Sequence, residues 1–239
     1  MASVLEFKEA SIRFGGLTAV APLSFAIPQG QLAAIIGPNG AGKTTVFNLI
    51  TGVYAPTSGE IWFDGARVAS AGKSLRVHQL VRKGIARTFQ NIRLFGDMSV
   101  RDNVRAAFAN RQNYGVFDSL FQTPRLFECE AWIAGETERL LEVFSLSNRA
   151  DLPANGLPYG DQRRLEIARA VATNPKLLLL DEPTSGMNPS ETDAVTETIR
   201  LVQNELGISI LLIEHHMSLV MKICERVIVL DGGVKLADD

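Results

Sequence analysis

Residues 37–44 read Gly-Pro-Asn-Gly-Ala-Gly-Lys-Thr and fit the pattern G-x-x-x-x-G-K-[ST]. In this pattern the glycines let backbone N–H groups converge on phosphate oxygens, the lysine neutralises phosphate charge, and the hydroxyl ligates Mg²⁺. Residues 31–36 are typical of a buried strand, and residues 43–51 predict a helix that ends at Gly52. This order directs the positive end of the helix at an anion. The predicted nucleoside triphosphate site consists of Gly37, Pro38, Asn39, Gly40, Ala41, Gly42, Lys43, Thr44 and Thr45.

A second motif lies far downstream, where four leucines at 177–180 precede Asp181 and Glu182. The leucines predict a strand buried on both faces. At the end of this strand, Asp181 can reach the coordination sphere of the Mg²⁺ ion, and Glu182 can accept a proton from an attacking water. A carboxylate pair in this place can also serve as a helix cap. The phosphate loop in the same chain favours the catalytic interpretation.

Composition excludes several classes of protein. The chain has 239 residues, of which 46% are apolar and 21% charged, with a formal net charge of −2. This balance lacks the basic character of a nucleic-acid-binding protein. No apolar run reaches the ~20 residues of a membrane-spanning helix, and Glu6, Lys8 and Glu9 stand where a secretion signal would be apolar. We therefore expect a cytosolic protein, in which Cys129 and Cys224 are reduced, packed thiols.

Strand and helix signals alternate along most of the chain, as in a parallel α/β sheet. Residues 4–14, 17–27 and 60–65 instead predict an antiparallel β section. The middle shows no convincing strands, and Ser99 with Asp102 resembles a capping box that opens a helix through Asn110. We predict one domain, residues 1–239, with an α/β core at 1–90 and 158–239 and a helical subdomain at 91–157. The further predicted strands are 85–88, 208–213 and 227–230, and the further helices are 190–206 and 217–225.

Residues 157–170 read Leu-Pro-Tyr-Gly-Asp-Gln-Arg-Arg-Leu-Glu-Ile-Ala-Arg-Ala. Placed between the two motifs above, this run resembles the signature of the nucleotide-binding subunits of ABC transporters, usually written L-S-G-G-Q. The resemblance covers nearly the whole chain and implies a P-loop NTPase core of the ABC type. It also implies that two subunits sandwich two ATP molecules. Tyr159, Gly160 and Asp161 would then face the phosphate loop of the partner subunit.

The same resemblance implies roles for three further residues. Phe14 matches the aromatic residue that stacks on adenine, and the less favoured alternative is that it is a core residue. Gln90 matches the glutamine that senses Mg²⁺ and contacts the membrane partner. His215 matches the switch histidine at the γ-phosphate, whereas His216 is interpreted as solvated. Residues 185–188 match the segment that crosses the dimer.

The signature departs from the family pattern, because Pro158, Tyr159 and Asp161 replace serine, glycine and glutamine. Asp161 is expected to place a carboxylate near the facing phosphates, which is an unfavourable arrangement of like charges. We therefore expect Asp161→Gln to raise the ATP turnover of the isolated chain. A distinct partner ATPase with an unmodified signature would complete the site of this chain. Asn188 likewise replaces the aspartate usual in the dimer-crossing segment.

Several runs resemble the ATPases of branched-chain amino acid importers, the LivG-like group. They are residues 157–160, 163–169 and 211–215 and the helical insert at 113–136. The resemblance implies a second ATPase subunit, permease subunits, and indirectly a substrate-binding protein, with this chain at the inner face of the membrane. Alternatives are an ABC ATPase for urea or lipopolysaccharide, a non-transport ABC ATPase, and a clamp that binds ATP without turnover.

Overall fold

The computed structural model describes residues 3–239, with residue 110 described by its backbone alone. Two compact units are present. The first combines residues 3–90 with 175–239, and the second comprises residues 91–174. Helix α6 (Tyr159–Ala172) belongs to the second unit, so this unit continues beyond the boundary at Leu157 that the sequence indicates. The physical reason is that α6 packs against α3 (Val100–Ala107) and α5 (Pro124–Val143).

The first unit is built on a six-stranded sheet in the order β11-β10-β3-β9-β8-β7. Its neighbouring strands are parallel, except that β10 and β11 form an antiparallel pair. Every residue of β8 and β9 is buried, as expected for continuous apolar runs in a parallel sheet. The loops that leave β3, β8 and β9 consequently start from the same edge. The strands are β3 (Leu32–Ile36), β7 (Ile85–Arg87), β8 (Leu177–Asp181), β9 (Ser209–Ile213), β10 (Arg226–Asp231) and β11 (Val234–Asp238).

A five-stranded antiparallel sheet, in the order β2-β1-β4-β5-β6, completes the β structure of this unit. Phe7 and Phe25 stack in its core with ring centroids 4.6 Å apart. The long hairpin of the first two strands turns just after Phe14, which places this residue at the end of the sheet. The strands are β1 (Ser3–Phe14), β2 (Leu17–Pro28), β4 (Ser58–Phe63), β5 (Ala66–Ser70) and β6 (Lys73–Ser74).

Four α-helices cover the sheets of the first unit. Helix α7 begins with a capping box in which the Asn188 carboxamide accepts from the Glu191 amide at 2.9 Å. Asn188 therefore opens a helix in the segment that the sequence assigned to the dimer interface. The helices are α1 (Lys43–Ile50), α2 (Val77–Lys83), α7 (Pro189–Asn204) and α8 (Met217–Ile223).

The second unit is helical, as its lack of strand signals indicated. Ser99 caps α3 by accepting from the Asp102 amide at 3.0 Å, which confirms the helix start, while the Asp102 carboxylate accepts from the Ser99 hydroxyl at 2.7 Å and the reciprocal bond of a capping box is not formed. Helix α3 ends at Ala107, and a 3₁₀ turn, Phe108–Arg111, follows it directly. Helix α4 (Val116–Phe121) and two further 3₁₀ turns, Ser147–Arg149 and Ala154–Gly156, complete the unit.

The helices and cysteines give two further findings. Among the residues that the structure describes, no helix is long and apolar enough to cross a membrane.

Cys129 is buried and Cys224 half-buried, and both are free thiols. Burial raises the pKa of Cys224 to about 12, so this thiol is protonated and unreactive near neutral pH.

Candidate functional site

The loop between β3 and α1 has a backbone that only glycine accommodates at two points. Gly37 has a φ of +152°, and a Cβ there would lie 2.0 Å from the Leu230 carbonyl oxygen. Gly42 has a φ of +99°, and a Cβ there would lie 2.7 Å from the Ala19 oxygen. Left-handed backbone and close contact with neighbouring carbonyls explain both glycines of the motif. The loop is thereby fixed at the start of α1, where helix amides are available to an anion.

Lys43 is held inside this loop. Its side chain is buried, and Nζ donates to the carbonyl oxygens of Gly37 at 2.7 Å and Pro38 at 2.9 Å. The ammonium group is thus positioned by the loop that would surround a phosphate. Among the described residues, the hydrogen bonds of this ammonium group go to neutral carbonyls, so an anion would stabilise it further.

A cleft of about 560 Å³ lies along the loop. Residues 39–45 line it, together with Phe14, Gln90 and Glu182. Phe14 is 44% exposed, so it does not belong to the core, which was the alternative left open by the sequence. Its ring meets Tyr54 edge to face with centroids 5.1 Å apart. Tyr54 gave no sequence signal, because its contact with Phe14 depends on how α1 and the first hairpin pack.

Asp181 ends β8 in a buried ion pair. Its Oδ2 lies 2.7 Å from Nη2 of Arg87, and both side chains are 9% exposed. Arg87 also donates to Asn48 Oδ1 at 2.8 Å, and its guanidinium lies over the rings of Phe47 and Phe89. Arg87 therefore fixes one carboxylate oxygen of Asp181. Sequence reasoning missed this residue, although an arginine within an apolar run at 85–89 is an available signal.

Glu182 meets two of the predicted site residues. Gln90 Nε2 donates to its Oε2 at 2.8 Å, and His215 Nδ1 lies 3.9 Å from its Oε1. The backbone of Glu182 has a φ of 45°, a left-handed conformation that costs a non-glycine residue about 1–3 kcal/mol. Strain of this kind persists only where the surroundings hold it. The structure thus brings together Glu182, Gln90 and His215, the predicted catalytic set.

His216 is not simply solvated, which corrects the interpretation from the sequence. Its Nδ1 lies 3.0 Å from the Thr184 hydroxyl oxygen, and its side chain is 43% exposed. The sequence could not indicate this contact because Thr184 follows β8 and His216 follows β9. The two strands are neighbours in the sheet, and the loops after them therefore meet.

The signature segment lies in the helical unit, at the start of α6. Tyr159 is 40% exposed, and Gly160 occupies the first turn, whose amides lack intrahelical partners. The Asp161 side chain is buried, and its carboxylate forms ion pairs with Arg149 and Arg164. The sequence predicts that this carboxylate repels the facing phosphates, and that prediction assumes an unpaired negative charge. The assumption is wrong, because two guanidinium groups of the same unit neutralise the carboxylate.

This pairing removes the reason to expect higher ATP turnover from Asp161→Gln and predicts an effect on stability instead. The substitution leaves Arg149 and Arg164 without their carboxylate, and we expect the free energy of unfolding to fall by about 1–3 kcal/mol. Urea denaturation followed by circular dichroism measures this change. Asp151→Asn is the matched control, since Asp151 pairs with Arg101 at an exposed position, where a pair contributes about 0–1 kcal/mol. Unchanged stability together with raised ATP turnover would instead support the expectation from the sequence.

Together, a glycine-rich loop at a helix start, a buried loop lysine and two carboxylates at the end of β8, which is separated from β3 by β9 in the same sheet, define a P-loop ATPase. The comparisons with known proteins narrow this class. The family pattern described as ABC transporter matches residues 20–185. The chain belongs to this family and is an ATP-binding, ATP-hydrolysing subunit of an ABC transporter.

Relatives and solved structures cover nearly the whole chain. It is 43% identical to the high-affinity branched-chain amino acid transport ATP-binding protein BraF of Pseudomonas aeruginosa, over 98% of this chain and 91% of BraF. It is 42% identical to LivG of Escherichia coli K12, which carries the same description, over 95% of this chain and 88% of LivG. The ADP conformation of an ATP-binding cassette of an ABC transporter superposes with a TM-score of 0.83 at 27% identity, covering 100% of this chain and 91% of that one.

Proposed function

We propose that this chain hydrolyses Mg²⁺-ATP to power the import of branched-chain or other hydrophobic amino acids. The contact of Gln90 with Glu182, both of which line the phosphate-loop cleft, carries the proposal. It connects the residue expected to respond to the membrane partner with the expected general base. The substrate class is supported by the relatives BraF and LivG, of which the chain covers 91% and 88%.

ATP would lie along the cleft with its adenine on Phe14 and its phosphates at the loop. The ring of Phe14 is accessible there, and the Lys43 ammonium would exchange its carbonyl contacts for phosphate oxygens. Glu182 would accept the proton of the attacking water, and His215 would contact the γ-phosphate. His215 is exposed on the same side as the Glu182 carboxylate, 3.9 Å away, which suits these complementary roles.

The residues around the phosphates also fit Mg²⁺. This cation takes oxygen ligands and is usually shared between a few protein groups and substrate phosphates. Thr44 would supply a hydroxyl, Gln90 an amide oxygen, and Asp181 the carboxylate oxygen that Arg87 does not hold. When bound, Mg²⁺ neutralises phosphate charge during hydrolysis. All three donors belong to the first unit of the chain.

The partners would be a second ABC ATPase, permease subunits and, indirectly, a substrate-binding protein. Tyr159 and Gly160 would present the first amides of α6 to the nucleotide of the second ATPase, since a helix N-terminus stabilises phosphate. A distinct partner ATPase remains our proposal, although the neutralised Asp161 removes one argument for it. The chain would lie at the inner face of the membrane through the permease.

Reconstitution tests the substrate and the partners together. The chain is co-expressed with candidate permease subunits and a partner ATPase, and the purified complex is placed in liposomes with the binding protein. We expect ATP-dependent uptake of leucine. Isoleucine and valine should inhibit this uptake by competition, and urea should not. A complex that carries urea instead would refute the substrate class. Failure of the chain to co-purify with any permease would refute the membrane role.

A further inference from the structure

Glu214 is a fully buried carboxylate at the end of β9. Its Oε1 accepts from the Thr184 amide at 3.1 Å and from the Thr184 hydroxyl at 2.7 Å. Its Oε2 accepts from the amides of His215 at 3.1 Å and His216 at 3.4 Å. One oxygen therefore binds the loop after β8, and the other binds the loop after β9.

The carboxylate has few charged neighbours. Within residues 3–239 the ion pairs give Glu214 only His216, whose Nδ1 lies 3.7 Å from Oε2. A carboxylate removed from water in this way is costly unless hydrogen bonds satisfy both of its oxygens. An apolar residue would avoid the cost. Three backbone amides and one hydroxyl are arranged around this carboxylate, which indicates a role beyond filling space.

The two loops that Glu214 joins carry the pair Glu182 and His215. Glu182 lies two residues before Thr184 and adopts the strained φ of 45°, which its surroundings must maintain. Its amide donates to the Ile213 oxygen at 2.9 Å, one residue before Glu214. His215 is anchored through its own amide by Glu214 Oε2. The backbones of both Glu182 and His215 are thus held by hydrogen bonds at or next to Glu214.

We propose that Glu214 is a positioning residue that fixes Glu182 relative to His215 and so sets the rate of ATP hydrolysis without contacting ATP. The proposal rests on the proposed roles of Glu182 and His215. A misplacement of about 1 Å in a reacting group can reduce a rate about 100-fold. Loosening the link between the loops should therefore lower kcat, while the phosphate loop and its affinity for ATP stay intact.

The decisive variant is Glu214→Gln, which keeps the shape of the side chain. If its amide nitrogen faces the two histidine amides, neither of them can accept from it, and if it faces Thr184, the hydroxyl can accept but the Thr184 amide loses its acceptor. We expect kcat to fall about 10- to 100-fold, with the KM for ATP within about threefold because no ATP contact is lost. Phosphate release measures kcat and KM, and a fluorescent ATP analogue measures affinity directly. Glu205→Gln, on an exposed side chain at the end of α7, is the matched control.

A second pair of variants decides the matter if Glu214→Gln does not fold. Thr184→Val removes one donor to Glu214 and should lower kcat, whereas Thr184→Ser keeps the hydroxyl and should restore it. Folded Glu214→Gln with the kcat of the control would overturn the proposal, as would equal kcat values for the two Thr184 variants. Glu182→Gln serves as a separate arm. If that variant retains full turnover, the proposed general base fails, whatever Glu214 does.

Discussion

Replacing Lys43 by alanine is expected to abolish useful ATP turnover and to weaken ATP binding. The Lys43 ammonium is buried and held by two loop carbonyls, so it is already aimed into the loop. A hydrogen bond to a charged group contributes about 1.5–3 kcal/mol, and its loss weakens binding roughly 10- to 150-fold. Equilibrium binding of a fluorescent ATP analogue and a phosphate-release assay measure the two effects.

The matched control is Lys73→Ala, which removes an exposed lysine from β6 of the same unit. It should leave both binding and turnover unchanged. A thermal melt distinguishes lost function from lost structure, since Lys43 also donates two hydrogen bonds within its loop. Hydrolysis by a folded Lys43→Ala chain at the unsubstituted rate would show that residues 37–44 are not the phosphate site.

Much of the fold could be predicted because its strands are continuous apolar runs. The predicted strand at 177–180 corresponds to β8, and that at 208–213 to β9, each within one residue at either end. Helix α2 was missed because only Leu80 in it is buried, which leaves no apolar periodicity to recognise. The short strands β5 and β6 were missed for a similar reason, since small and polar residues dominate them.

The chemistry of the site was predictable where residues follow strands of one sheet. Asp181 ends β8, Glu182 follows it directly, and His215 lies two residues after the end of β9. The carboxyl ends of parallel strands meet at one edge of the sheet. Their partners were not predictable in the same way. The pairing of Arg87 with Asp181 requires β7 beside β8, and the sequence does not state this order. The hydrogen bonds of Glu214 to Thr184 depend in the same way on β8 beside β9.

Asp161 shows how a local pattern can mislead. Its pairing with Arg164, three residues later on α6, follows ordinary helical spacing. The pairing with Arg149 does not, because it requires the chain before α6 to fold back on the first helical turn. The motif taken alone predicts that an acidic residue in place of glutamine faces the phosphates. The tertiary contact removes the reason to expect that Asp161→Gln raises ATP turnover.

Replacing Glu182 by glutamine should give the second large effect. The glutamine keeps the shape of the side chain and can still accept from Gln90 Nε2, which now donates to Glu182 at 2.8 Å. It cannot accept the proton of the attacking water. General-base catalysis is typically worth about 10²–10⁴-fold, so kcat should fall by that factor while ATP binding persists. Single-turnover phosphate release measures the loss.

The same variant tests the arrangement of two subunits around ATP. If the Glu182→Gln chain binds ATP and does not hydrolyse it, ATP-bound dimers should accumulate, and size-exclusion chromatography with ATP should show them. The Glu205→Gln control should turn ATP over and show less dimer. An absence of added dimer despite tight ATP binding would count against two copies of this chain pairing, and the experiment is then repeated with a distinct ATPase subunit added. Loss of ATP binding itself would assign Glu182 a structural role, because the strained backbone at this position depends on the contacts of its side chain with Gln90 and His215.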